Sequence, residues 1–259
     1  MRSGCARPHH AVPARAAALG RFGEALQALQ AAVAAAGEEA ASLARTKARL
    51  ALGHLWLTLG RAEQTFALMD SLPEQVIPGM AIQAALLRAR AAEQAGLPVA
   101  RHLDTLTRLA AAHRDLPLVQ SAWFEVSYVG GAQDMLDALG PVRVQCATLG
   151  LVGTARAIRW RELVRCLDID TPEAATRARA MADELAPHVG TGLSAKCYPP
   201  EVWWTLARAY ERAGESTRGA EALAVARRWI AGALPTVPAE HRSTFEQRNR
   251  VNRLLLAAS

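Results

Sequence analysis

The chain has 259 residues, enough for one or two ordinary domains. Alanine supplies 56 of them while Phe, Trp and Tyr together supply only 5%, and this composition disfavours a sheet protein and favours packed helices. The formal net charge is +6, and 28 of the 30 basic residues are Arg, a bias typical of GC-rich coding sequence. A modest excess of dispersed positive charge is weak evidence for nucleic-acid binding.

The cysteines and the first residues indicate the compartment. Four cysteines are scattered without a CxxC pair, so we expect single buried thiols rather than disulfides. Arg and Pro residues interrupt any secretory signal near the N-terminus, and no apolar run is long enough to cross a membrane. The sequence therefore predicts a cytoplasmic protein without membrane contact.

Residues 1–14 are expected to form an irregular leader. Pro8 and Pro13 stand where the first helix of a repeat should run, and proline is poorly tolerated inside a helix. The alternative is that the chain starts part-way through a repeat of a longer protein.

Residues 15–234 contain glycine turns at nearly regular intervals. They stand at Gly20, Gly60, Gly96, Gly130 and Gly214, so three intervals are 40, 36 and 34 residues and the last, 84, is about two units. A period of this length predicts helical hairpins stacked into a solenoid. We therefore expect an all-α fold, a right-handed α-solenoid of about six hairpins with a short C-terminal capping helix.

The last hairpin carries an interpretable residue pattern. Four residues of its first helix have the spacing i, i+3, i+4, i+7 of one helix face: Trp203, Leu206, Ala207 and Tyr210. Gly219, Leu223 and Ala226 continue the apolar stripe on its second helix. This pattern of large and small residues resembles the tetratricopeptide repeat.

The same frame can be moved to the unit that ends at Gly60. It places Leu52, Gly53 and Trp56 at the corresponding positions, and His54 at the position of Arg208. Glycine inside a helix costs about 1 kcal/mol relative to alanine, so Gly53 indicates a close helix contact.

Candidate partner-binding residues lie on two predicted helices. Arg156 and Arg159 begin an Arg series, continued by Arg161 and Arg165, that could receive an acidic peptide or phosphate, or could be a solvated face. Trp203 and Trp204 cannot face the same side, and we expect Trp204 to be the exposed one, with Arg208 one turn further on.

We find no catalytic set, metal site or cofactor motif in the sequence. Asp168 and Asp170 are better explained by a turn, because they precede Thr171 and Pro172, which are typical of a helix N-terminus.

Residues 235–259 form a segment of different character. They resemble the closing sequence, roughly V-P-x-x-x-R-x-S-F-x-x-R-N-x-V-N-R-x-L-L, that follows tetratricopeptide-like repeats in large bacterial multidomain ATPase regulators. The matching residues are Arg242, Phe245, Arg248, Asn249, Val251, Asn252, Arg253, Leu254 and Leu255, with Thr244 in place of Ser. We expect Phe245, Val251, Leu254 and Leu255 to cover the apolar face of the hairpin at 200–233 as a cap.

The resemblance implies a function of the same kind. No Walker-type loop, winged-helix segment or kinase motif occurs in the chain, so it implies only the sensor and scaffold part of such a regulator. We therefore expect a non-enzymatic protein–protein interaction module of a signalling ATPase or transcriptional regulator. Its expected partner is a protein or peptide segment, such as an upstream ATPase or effector domain, with no specific nucleic acid.

Two other functions remain open. A nucleic-acid-binding helical repeat with a dispersed Arg surface would need basic residues at one position in successive repeats, and Arg208 has His54 as its counterpart. An enzyme built on a helical toroid is the third interpretation, without an acid–base pair to support it.

Overall fold

The computed structural model describes residues 11–35, 41–73, 76–112, 131–194 and 197–257. Within these ranges it contains helices and no strand, so the all-α prediction is confirmed. The α-helices are α1 (Ala11–Ala18), α2 (Phe22–Ala35), α3 (Ala41–Thr58), α4 (Ala62–Asp70), α5 (Pro78–Ala95), α6 (Ala100–Ala112), α7 (Ala132–Thr148), α8 (Val152–Cys166), α9 (Pro172–Leu185), α10 (Pro199–Arg212), α11 (Ser216–Ala233), α12 (Ala239–Gln247) and α13 (Arg250–Ala257).

Helices that follow one another along the chain pack together. Contacts join α1 to α2, α3 to α4, α5 to α6, α7 to α8, α8 to α9 and α10 to α11, and the contact of α7 with α8 is more extensive than that of α8 with α9. Four of the predicted glycine turns separate such helices, and each glycine has the left-handed backbone that L-residues rarely adopt, with φ of 76° at Gly20, 77° at Gly60, 70° at Gly96 and 80° at Gly214. Gly130 lies outside the described residues.

The irregular leader predicted over residues 1–14 is wrong for residues 11–14, because α1 begins at Ala11. Pro13 is the third residue of this helix, in the first turn, where its missing N–H would have no intrahelical acceptor. The remainder of the predicted leader lies outside the described residues.

The glycine predicted to mark a close helix contact does so. A Cβ on Gly53 would lie 3.1 Å from Met69 Cε and 3.3 Å from Leu87 Cδ1, so α3 approaches both α4 and α5 at this point. The Thr65 hydroxyl also donates to the Gly53 carbonyl at 3.2 Å. The N-terminus predicted at Thr171 is confirmed as well, since Thr171 Oγ1 accepts from the Ala174 N–H at 3.1 Å and begins α9.

The tail packs against the last hairpin and against the N-terminal helices. Phe245 and Leu255 belong to one apolar cluster that also contains Ile230 of α11 and, from the N-terminal helices, Phe22 and Trp56. The Phe22 and Phe245 rings are 5.3 Å apart between centroids. The tail therefore lies between the last hairpin and the first helices and does not cover the last hairpin alone.

The burial of the tail follows the predicted cap at three positions of four. Phe245, Val251 and Leu255 are buried, but Leu254 is 40% exposed, so its predicted burial is wrong. Leu254 precedes Leu255 directly, and neighbouring residues of a helix point in different directions.

In the described part of the chain, no helix is both long and apolar enough to cross a membrane.

Candidate binding cavity

A cavity of about 660 Å³ is enclosed by several helices and the tail. Its walls come from α1, α2, α3, α5, α8 and α10 and from the tail, so segments more than 200 residues apart in sequence meet there. Its polar and aromatic lining includes Lys47, His54, Gln83, Arg90, Glu93, Arg161, Asp168, Glu201, Trp204, Arg208, Arg248, Arg250 and Arg253.

Helix α10 supplies the aromatic part of this lining. Its apolar face is buried in the core through Val202, Leu206 and Ala209. Trp204 and Arg208 are four residues apart on a neighbouring face, which lines the cavity. The Arg208 guanidinium lies 5.1 Å from the centre of the Trp204 ring, within the range of a cation–π interaction.

The cavity is positively charged. Seven cationic side chains and three carboxylates line it, so its formal net charge is +4. The cations are Lys47, Arg90, Arg161, Arg208, Arg248, Arg250 and Arg253, and the carboxylates are Glu93, Asp168 and Glu201. Cations that line a concave surface raise the local concentration of anions.

Two ion pairs join opposite walls of the cavity. Arg90 Nη2 of α5 lies 3.5 Å from Glu201 Oε2 of α10, and these side chains are 27% and 21% exposed. Arg250 Nη1 of the tail lies 2.7 Å from Glu93 Oε1 of α5. The cavity therefore depends on contacts between distant segments for its shape.

A third cation, Arg248, pairs with Glu63 at 2.9 Å, whereas three others form no ion pair in the described part of the chain. Lys47, Arg208 and Arg253 have no carboxylate within ion-pair distance among the residues that the structure describes. Lys47 and Arg253 are exposed, whereas Arg208 is half-buried beside Trp204. These three side chains come from α3, α10 and α13, so cations without a carboxylate partner stand on three separate walls.

Buried amides hold the tail at the edge of the cavity. Asn249 Oδ1 accepts from the backbone N–H groups of Val251 and Asn252 at 3.0 and 3.1 Å, which caps α13. Asn249 Nδ2 donates to the Thr58 carbonyl at the end of α3 at 2.9 Å. The same side chain therefore caps the N-terminus of α13 and donates to a carbonyl at the C-terminus of α3.

A tyrosine ties α10 to the tail on the other side. The Tyr198 hydroxyl donates to Asn252 Oδ1 at 2.7 Å. Burial raises the pKa of Tyr198 well above its usual value, so the hydroxyl keeps its proton in any ordinary buffer. Asn252 Nδ2 in turn donates to the Phe245 carbonyl at 2.9 Å, which links α10, α12 and α13.

The predicted binding residues fall into two groups. Trp204 and Arg208 lie together in the cavity. Arg156 and Arg159 do not join them, because Arg156 donates to the Gly192 carbonyl at 3.2 Å and Arg159 is held by Glu184 and Glu162 at 2.7 and 2.9 Å. Arg161 is the member of the α8 Arg series that lines the cavity, although it is largely buried and stacks on Trp160.

Sequence reasoning missed Lys47, Arg90, Glu201 and Arg253. A signal for two of them was present in the repeat frame, since Lys47 and Glu201 stand seven residues before His54 and Arg208, the pair that the frame aligns. A seven-residue step is close to two helical turns and keeps residues on one face. The frame also aligns Arg90 with His54 and Arg208, because each stands six residues before its turn glycine, whereas Arg253 has no comparable signal.

Among the residues that the structure describes, no three His, Cys, Asp or Glu side chains come together in a group that could hold a metal ion. Asp168 and Asp170 are ion-paired with Arg165 at 3.1 Å and with Arg212 at 3.0 Å.

The chain was compared with protein-family models, with curated proteins and with solved structures, and none of them matches it. The resemblance of the repeats and of the tail to bacterial ATPase regulators therefore rests on the residues quoted above.

Proposed function

We propose that the protein is a non-enzymatic, tetratricopeptide-like interaction module that binds a segment of a partner protein in the central cavity. In this proposal the helices form a right-handed solenoid of about six hairpins, and α1, α3, α5 and α10 are the first helices of the hairpins that turn at Gly20, Gly60, Gly96 and Gly214. First helices of such repeats form a concave surface that receives extended segments. The module would be the cytoplasmic C-terminal sensor part of a signalling ATPase or transcriptional regulator.

The observation that carries the proposal is that these four first helices line one cavity, together with α2, α8 and the tail. Its volume of about 660 Å³ falls within the range of ordinary ligand sites. A half-buried Trp beside an Arg is a combination often found where binding energy is concentrated, and Trp204 and Arg208 provide it.

The cavity supports a protein segment better than a nucleic acid. A nucleic-acid repeat needs cations at one position in successive units. In the repeat frame Lys47 and Gln83 correspond to Glu201, so the charge at this position is not constant, and only the position of Arg90 and Arg208 is cationic in two units.

Binding to an array of random twelve-residue peptides tests this function. We expect a subset of peptides to bind the unmodified chain and to lose most of their signal with Trp204→Ala and with Arg208→Ala. Arg228→Ala is the matched control. It changes the net charge by the same amount as Arg208→Ala, but Arg228 is exposed and does not line the cavity. Far-UV circular dichroism verifies that each variant is folded.

Two outcomes would contradict the proposal. One is an array on which no peptide binds above background. The other is binding that Trp204→Ala and Arg208→Ala leave unchanged, since the peptides would then bind elsewhere.

A further inference from the structure

We infer that the partner segment that binds in the cavity is acidic. While no partner is bound, the Glu201 carboxylate lies beside Arg90, where a carboxylate of the segment would lie in the complex. This inference rests on the proposed function and assigns the chemistry of the partner.

The balance of charge in the cavity favours an acidic segment. A segment that enters the cavity removes water from Lys47, Arg208 and Arg253, which have no carboxylate partner in the described part of the chain. Covering a cation without supplying an anion is unfavourable, whereas a carboxylate repays the lost hydration by a charge-assisted hydrogen bond. Asp and Glu side chains of a partner would supply these carboxylates.

The geometry of Glu201 allows a ligand to replace it. This residue stands in the first turn of α10 and reaches across the cavity to Arg90 of α5 at 3.5 Å. The separation is longer than the 2.7–2.9 Å typical of a strong pair between a guanidinium and a carboxylate. Both side chains are also partly exposed, so a ligand carboxylate that enters the cavity can compete with Glu201 for Arg90.

The cavity suits carboxylates better than phosphate. Compact phosphate groups favour the N-terminus of a helix, where several backbone N–H groups converge. Helix α10 begins with Pro199 and Pro200, which have no N–H, and continues with the negative Glu201. This helix end, which lines the cavity, is therefore unsuited to phosphate. The three cations on separate walls instead match carboxylates distributed along a peptide.

The test repeats the peptide array with Glu201→Gln. This variant removes the carboxylate that competes with the peptide for Arg90. We expect peptides that depend on Trp204 to be net negative, and Glu201→Gln to increase their binding about threefold, an effect of the size measured for single charges in partly exposed sites. Glu173→Gln is the matched control and should change nothing, because Glu173 is also a first-turn residue behind a proline but is exposed and outside the cavity.

A second variant tests the cations directly. Lys47→Ala removes an exposed side chain without a carboxylate partner, so the fold should be unaffected, and we expect binding of the acidic peptides to fall about threefold. Replacing Glu by Gln within a bound peptide should give a similar loss. Adding tripolyphosphate at equal ionic strength should not displace the peptides more than sodium chloride does.

The outcomes separate the two proposals. If Trp204-dependent peptides are neutral or basic, if Glu201→Gln weakens acidic peptides, or if tripolyphosphate displaces them specifically, the inference is overturned while the interaction module stands. If no peptide depends on Trp204, the proposed function itself fails.

Discussion

At the scale of single residues, Asn249 connects two helices that are distant in sequence. Its carbonyl oxygen caps α13, and its amide group donates to Thr58 at the end of α3. It is 7% exposed, so neither group can find water if its partner is removed. An asparagine can do both tasks because it carries an acceptor and a donor on one short side chain.

Two substitutions at Asn249 separate these tasks. Asn249→Ser keeps an N-cap acceptor but is too short to reach Thr58, so we expect a loss of about 1 kcal/mol in the free energy of unfolding, the value of one hydrogen bond. Asn249→Ala loses the cap as well and should cost about 2 kcal/mol. Urea denaturation measures both, and equal losses for the two variants would show that the cap contributes nothing.

At the scale of structural elements, the turn between α3 and α4 packs directly against the tail. Gly60 has a φ of 77°, and a Cβ on it would collide with the Thr244 carbonyl oxygen and lie 3.1 Å from Arg248 Cβ. The Thr244 hydroxyl donates to the neighbouring Leu59 carbonyl at 2.8 Å. The absence of a side chain at Gly60 is therefore required twice, by its own backbone and by the tail.

Alanine substitution at three glycines distinguishes these requirements. Gly96 and Gly214 have similar φ values but open space where an alanine methyl group would lie, so Gly96→Ala and Gly214→Ala should each cost about 1 kcal/mol from backbone strain. Gly60→Ala adds the collision with the tail, and we expect a total cost of about 3 kcal/mol. Urea midpoints that are the same for all three variants would refute the seating of the tail on this turn.

At the scale of the whole molecule, the two ends of the described chain are in contact. The Phe22 N–H donates to Thr236 Oγ1 at 3.1 Å across 214 residues of sequence, and a Cβ on Gly20 would lie 2.9 Å from that of Ala233. Open repeat arrays contact only their neighbours and can unfold from the ends. Contacts between the ends couple the first helices to the last.

This coupling predicts a cooperative transition that depends on Phe245. In the unmodified chain, urea unfolding followed by far-UV circular dichroism and by tryptophan fluorescence should coincide. Phe245 is fully buried against Phe22, so Phe245→Ala should cost about 3–5 kcal/mol and, by loosening the contact between the ends, should separate the two transitions. Leu254→Ala is the control, because Leu254 is exposed in the same tail. Coincident transitions in Phe245→Ala would mean that the ends are not what makes unfolding cooperative.

The local features were predictable from sequence. Glycine turns, the Thr171 cap and the apolar face of α10 depend on residues within a few positions of one another, so they are encoded by composition and spacing alone. Helix periodicity also put Trp204 on a different side from Trp203, but the prediction that only Trp204 is exposed is wrong, because both side chains are half-buried.

The cavity itself was decided only by the tertiary structure. Arg90 and Glu201 are 111 residues apart, and Asn249 lies 191 residues from Thr58, so their meeting depends on how the helices are arranged relative to one another. No local periodicity encodes that arrangement, because the side chains that determine it belong to different elements. For the same reason the sequence predicted an Arg series on α8 but not that Arg156 and Arg159 would be held by Gly192 and Glu184 while Arg161 lined the cavity. Local spacing thus determined the helices and their faces, and packing between distant helices decided which of those faces enclose a site.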